Sequence, residues 1–186
     1  MVYKSRKSFD VSQIFNVIFT LISVAACLIL MLLPIPGTEL LNTNPNWLLI
    51  WLVSWSLKRT VWQGAIAGVA IGWIYDGIAS MSPSYVFTFA LVGVLTSALN
   101  TQRYLGEDFI SVAFIVFFMT LIAETVFALQ YLQIYFLSIS DVWYKYRQIA
   151  IVSAIITSLW SPIFYYPFNL VQRKIEQLSK SSSNYK

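Results

Sequence analysis

Residues 61–80 read VWQGAIAGVAIGWIYDGIAS, a run with a single charge, Asp76, and with Gly64, Gly68 and Gly72 spaced at steps of four. A helix rises about 1.5 Å per residue, so roughly 20 residues cross the hydrocarbon layer of a bilayer. Steps of four lie along one sloping ridge of such a helix, and three glycines on that ridge make a groove. In lipid no hydrophobic drive brings helices together, and a groove of small residues gains van der Waals contact by letting another helix come close. The stretch therefore predicts a transmembrane helix with a packing seam, ended by Asp76. That acid has two readings: a polar latch to a neighbouring helix or partner subunit, or a carboxylate near the headgroups that reaches water.

Outward from this run the same measure gives five more spans. Ser82-Pro83-Ser84 is a turn signal, and a fourth span follows at 85–100. Upstream, residues 47–57 are apolar but too few, so a second span over 46–59 must borrow Asn46 and the stems of Lys58 and Arg59, and is expected to be tilted, to thin the bilayer or to be re-entrant. Residues 11–38 carry no charge. They hold a first span at 13–33, ended by Pro34, Pro36 and Gly37. A fifth span is expected at 109–129, with an aromatic interfacial stretch toward Tyr146. The sixth, 148–170, contains Pro162 and Pro167, which remove backbone donors and should kink or end it. The fold expected is an all-α integral membrane protein with six transmembrane helices, one domain over 1–178 and a disordered polar tail over 179–186.

Composition supports a bilayer and excludes much chemistry. Of 186 residues 58% are hydrophobic and 11% charged, where soluble domains carry about 25% charged. Histidine is absent and Cys27 is the only cysteine, which removes zinc sites, disulfides and His-dependent nucleophiles, and no cofactor is expected. A net charge of +4, dispersed among apolar runs, is no nucleic-acid surface. It reads instead as topology. With the N-terminus in the cytoplasm, Lys4, Arg6, Lys7, Lys58, Arg59, Arg103, Arg173, Lys174, Lys180 and Lys186 lie inside and only Lys145 and Arg147 outside, which is ten against two and favours an even number of spans. Val24-Ala25-Ala26-Cys27 resembles a lipoprotein signal, but the apolar run continues through Leu33, so Cys27 reads as a small packing residue.

The remaining candidates for chemistry are few. Glu124 lies 15 residues after Phe109, in the outer half of its span, with Thr120, Thr125 and Gln130 as the nearby polar residues. It reads as structural, with an intramembrane polar site as the alternative. An aspartyl protease needs two aspartates sharing a proton, and only Asp76 is placed for it. Glu107-Asp108 beside Arg103 reads as a solvated helix start. Trp47, Trp51 and Trp55 at steps of four are expected to face lipid or the interface. Trp143, Tyr144 and Tyr146 suit an outer aromatic belt, and Phe164, Tyr165, Tyr166 and Phe168 an inner one. Beyond it Val171, Ile175 and Leu178 line one face of a basic extension suited to anionic lipid, with a partner as the alternative.

The segment from Asn44-Pro45-Asn46-Trp47-Leu48-Leu49-Ile50, a proline before a short apolar span, to Gly68-Val69-Ala70-Ile71-Gly72-Trp73-Ile74-Tyr75-Asp76 is similar to the pattern of the rod shape-determining protein MreD family of bacteria. Trp73 stands where that family commonly has leucine, and Ser82-Pro83-Ser84-Tyr85 lacks its glycine after the aspartate. The resemblance implies a non-enzymatic subunit of the cell-elongation machinery in the plasma membrane, helping maintain cell shape by joining MreC and the MreB cytoskeleton to peptidoglycan synthesis. It also implies a six-helix fold similar to the substrate-binding S component of energy-coupling-factor vitamin transporters, which is the alternative function. An S component requires an outer pocket with convergent polar groups, of which the sequence offers few, so a small-molecule ligand is not expected. A channel or carrier would want more buried charge along a path. The expected partners are membrane lipid and MreC with other elongation proteins, through a helix-packing or partner interface at Pro45, Gly64, Gly68, Gly72 and Asp76. On that reading Gly68→Leu abolishes co-purification of the partner and leaves insertion intact.

Overall fold

A computed structural model describes residues 11–33, 37–39, 43–79, 82–99, 109–135 and 139–183. Its six helices are α1 (Val11–Leu32), α2 (Trp47–Ser56), α3 (Val61–Ala79), α4 (Tyr85–Ala98), α5 (Phe109–Tyr135) and α6 (Ile139–Ser183). Expectations for Lys4, Arg6, Lys7, Pro34, Pro36, Arg103, Glu107, Asp108 and Lys186 lie outside the described residues, as do those for the side chains of Trp143, Tyr144, Lys145, Ile175, Leu178 and Lys180.

Among the described residues three stretches are long and apolar enough to cross a membrane: Ile14–Leu32, Ile110–Tyr135 and Tyr146–Val171. The shortest of the six helices, α2, is the hub. It touches each of the other five helices, and Leu48, Leu49, Ile50, Leu52 and Val53 are wholly buried. A 10-residue helix spans only about 15 Å, and the non-helical backbone on either side of it is tolerated at membrane depth only where protein surrounds it. The neighbours stand in the order α3, α4, α5, α6, α1 around it, and α1 and α3 do not touch.

The tryptophan stripe is a correction to the sequence reading. Trp47 and Trp51 are 4% and 5% exposed, not turned to lipid. Trp47 meets Trp160 at 5.5 Å and Phe164 at 5.2 Å between ring centroids, and Trp51 Nε1 donates to Ser23 Oγ at 2.8 Å. A helix apolar on every side belongs in a core. Once α2 is central, the large rings fill the space between it and the outer helices. The inner belt is corrected for the same reason. Phe168 is buried and lies 5.3 Å from the Phe19 ring, while Tyr166 stays exposed.

Boundaries differ where breakers are absent or compensated. With no Gly or Pro between 109 and 135, α5 runs on to Tyr135 instead of ending at 129. In α6, Pro162 and Pro167 sit inside a continuous helix that reaches Ser183, past both the expected end at 170 and the expected start of a disordered tail at 179. Pro162 cannot donate to the carbonyl of Ser158, four residues back. The Ser161 hydroxyl donates to that oxygen at 2.8 Å instead, which keeps the helix intact at this proline.

Candidate functional site

The glycine ridge of α3 lies against α4. A Cβ on Gly68 would stand 2.7 Å from Ala90 Cα, and one on Gly72 2.5 Å from Val86 Cα. A Cβ on Gly64 would run into the Gly93 carbonyl oxygen of α4, and one on Gly93 would stand 2.8 Å from the carbonyl carbon of Gly64. Real side chains do not come that close to backbone, so all four positions require glycine. The sequence reading leaves the occupant of the groove open between a neighbouring helix and a partner. The structure fills it with α4 of the same chain, so Gly68→Leu would force this hairpin apart before it touched any partner. Gly77, on the same helix, has open space where its Cβ would be.

Asp76 joins the two ends of that hairpin. Its Oδ1 accepts from the Tyr85 backbone N–H at 2.8 Å and its Oδ2 from Ser84 Oγ at 2.5 Å, while Ser84 Oγ accepts from the Val86 N–H at 3.2 Å. A serine N-cap and a carboxylate thus share the free donors of the first turn of α4, where a negative charge is favoured.

Pro45 lies apart from the seam. It is buried at the entrance to α2, where Asn46 caps the helix by accepting from the Leu49 N–H at 3.1 Å, and the Asn46 N–H donates to Thr157 Oγ1 of α6 at 3.2 Å. Pro45 and Glu124 meet around one cavity of about 650 Å3, which Tyr75, Tyr85, Phe127 and Tyr146 also line. Glu124 is half-buried and accepts from Ser153 Oγ of α6 at 3.1 Å. The polar neighbours expected for it bond elsewhere: Thr120 to the Val116 carbonyl, Thr125 to the Leu121 carbonyl and Gln130 to Thr88 Oγ1.

The aromatic wall of the cavity was not visible in the sequence. Tyr75 and Tyr85 stand 4.4 Å apart, Tyr85 stacks on Phe127 at 4.2 Å, and Phe127 meets Tyr146 at 6.4 Å. Tyr146, expected in an outer belt, turns inward here and also meets Tyr131 at 5.6 Å. These rings come from α3, α4, α5 and α6, and no periodicity links their positions. Asp76 bears on the wall indirectly, since it holds the backbone N–H of Tyr85.

The arrangement holds helices in register and encloses a cavity with one carboxylate. Among the described residues no three His, Cys, Asp or Glu side chains gather as a metal site. A family model described as rod shape-determining protein MreD matches residues 12–171. No curated protein matches and no solved structure matches.

Proposed function

This chain belongs to the rod shape-determining protein MreD family, and from that premise we propose that it is a non-enzymatic subunit of the bacterial cell-elongation complex, working through contact surface. In this reading it crosses the plasma membrane six times as one domain with both termini cytoplasmic, and joins MreC and the cytoskeleton to peptidoglycan synthesis. The family match over 12–171, which reaches from the start of α1 deep into α6, carries the proposal. The use within the chain of both acids that fall inside the expected spans supports it: Asp76 caps α4 and Glu124 meets Ser153. With the glycine seam occupied by α4, partner helices dock on the apolar faces that remain exposed, including Trp62, Ile66 and Trp73 of α3.

A second reading is favoured by one observation. The cavity at Glu124 lies within the size range of small-molecule sites, roughly 300–1,000 Å3, and under the proposed orientation it opens on the outer side, as it would in an S component of a vitamin transporter. One experiment separates the two. Tagged protein drawn from gently solubilised membranes is expected to bring MreC and cell-wall synthesis proteins with it. A transporter ATPase module, or a tightly held vitamin, in their place overturns the scaffold reading.

A further inference from the structure

The sequence offers few convergent polar groups for a ligand, yet the fold gathers several of them around the Glu124 cavity of about 650 Å3. Of the two carboxylate oxygens, Oε1 accepts from Ser153 Oγ at 3.1 Å, while Oε2 has no hydrogen-bond partner among the described residues and keeps accessible surface. A charge at the depth expected for Glu124 is costly and is ordinarily matched by an opposite charge or by several donors. No described lysine or arginine forms an ion pair with it. Arg147 shares with Glu124 the wall of a second space, a groove of about 200 Å3 between α5 and α6, but it is exposed and does not reach the carboxylate.

The rest of the wall describes what would match that oxygen. Tyr75, Tyr85, Phe127 and Tyr146 line the same cavity, their ring centroids 4.4, 4.2 and 6.4 Å apart in turn. An aromatic face attracts a cation lying within about 6 Å of its centre, and rings grouped around an ammonium are a recurring means of holding one. Oε2 asks for a donor, which a protonated amine brings and a quaternary ammonium does not. A metal ion would want several oxygen ligands, and Glu124 is the one acid on this wall. Leu30, Met31 and Ile149 supply apolar surface for a carbon skeleton. Water would solvate the carboxylate and leave the rings wet, and a neutral ligand would cover the rings and leave the charge unmatched.

We infer that this cavity binds an organic ammonium: an N–H of the protonated amine donates to Glu124 Oε2, the charge lies against the rings of Tyr75, Tyr85, Phe127 and Tyr146, and the carbon skeleton lies along Leu30, Met31 and Ile149. The inference rests on the reading of this cavity as a small-molecule site and names the class of ligand. Because Glu124 and Tyr146 also line the groove between α5 and α6, the ammonium can arrive as a free amine or as the headgroup of an amine lipid. The test is calorimetric titration of the full-length protein in detergent, at neutral pH, with tryptamine, a protonated amine, and with tryptophol, which carries a hydroxyl in its place, each against empty micelles. Tryptamine is expected to bind saturably and roughly tenfold or more tighter than tryptophol, a preference that Glu124→Gln brings close to unity, while Phe127→Leu weakens tryptamine about threefold or more. Equal affinity for the two overturns the ammonium but leaves a small-molecule site; binding of neither overturns that site as well. This comparison in the wild type needs no variant to fold. A preference retained in Glu124→Gln overturns the carboxylate as anchor, and a gain of roughly tenfold in Lys145→Gln or Arg147→Gln assigns the counter-charge to the chain itself and overturns the inference too. Displacement of tryptamine by phosphatidylethanolamine and not by phosphatidylglycerol supports the site with a lipid headgroup as the source; displacement by neither supports a free amine.

Discussion

Gly68 and Gly77 are two glycines of one helix with opposite surroundings, and they separate close approach from helix propensity. A methyl on Gly68 meets the backbone of α4, which cannot turn aside as a flexible side chain would. Gly68→Ala is expected to destabilise by about 1–3 kcal/mol, the range for overpacking. Gly77→Ala meets open space and removes a flexible residue from a helix, so it should stabilise by roughly 0.5–1 kcal/mol. Unfolding in mixed micelles by added ionic detergent reads both, and equal effects would refute the seam. Asp76→Ala takes away the acceptor of two hydrogen bonds and is expected to cost about 1–3 kcal/mol on the same scale, since bonds to a charged group are the stronger kind. A loss under about 0.3 kcal/mol would instead place the carboxylate in water.

At the scale of elements, α6 shows how a helix survives a proline. If the Ser161 hydroxyl stands in for the donor that Pro162 lacks, the two residues are coupled. Ser161→Ala should cost about 1 kcal/mol in the native background and almost nothing once Pro162→Ala restores an N–H to the Ser158 carbonyl. Additive losses in that double-mutant cycle would contradict the compensation. The hub helix gives a second prediction. Ile50→Ala in α2 loses contacts on every side but little transfer energy, because the unfolded reference also lies in lipid. A cost toward the low end of the soluble range, roughly 1–3 kcal/mol, is therefore expected in the same detergent titration.

These elements also show what the sequence makes legible and what it does not. Run length and the four-residue glycine step mark α1 and α3 through α5, and the Ser82-Pro83-Ser84 turn marks the start of α4, because those signals are local. The seating of α2 is not local. Its tryptophans look the same in lipid as in a core, and only the five helices around it decide which. Pro162 reads as a breaker until Ser161 is seen to donate to Ser158. The glycine ridge and Asp76 stand out on one helix, whereas Tyr75, Tyr85, Phe127 and Tyr146 gather from four helices.

At the scale of the whole molecule, an enclosed α2 is what would allow a chain with three long apolar stretches among its described residues to cross lipid six times. Its short helix and polar flanks travel through protein instead of hydrocarbon. The proposed topology places the termini and the α2–α3 connection on one face, and the α3–α4 turn and the Glu124 cavity on the other. Single cysteines at Ser5, Ser82 and Ser182, each in a Cys27→Ser background, labelled by a membrane-impermeant maleimide on intact cells stripped of outer wall, test it most directly. Labelling at position 82 with protection at 5 and 182 until the membrane is opened is the expected result; labelling of 5 and 182 from opposite faces would contradict it.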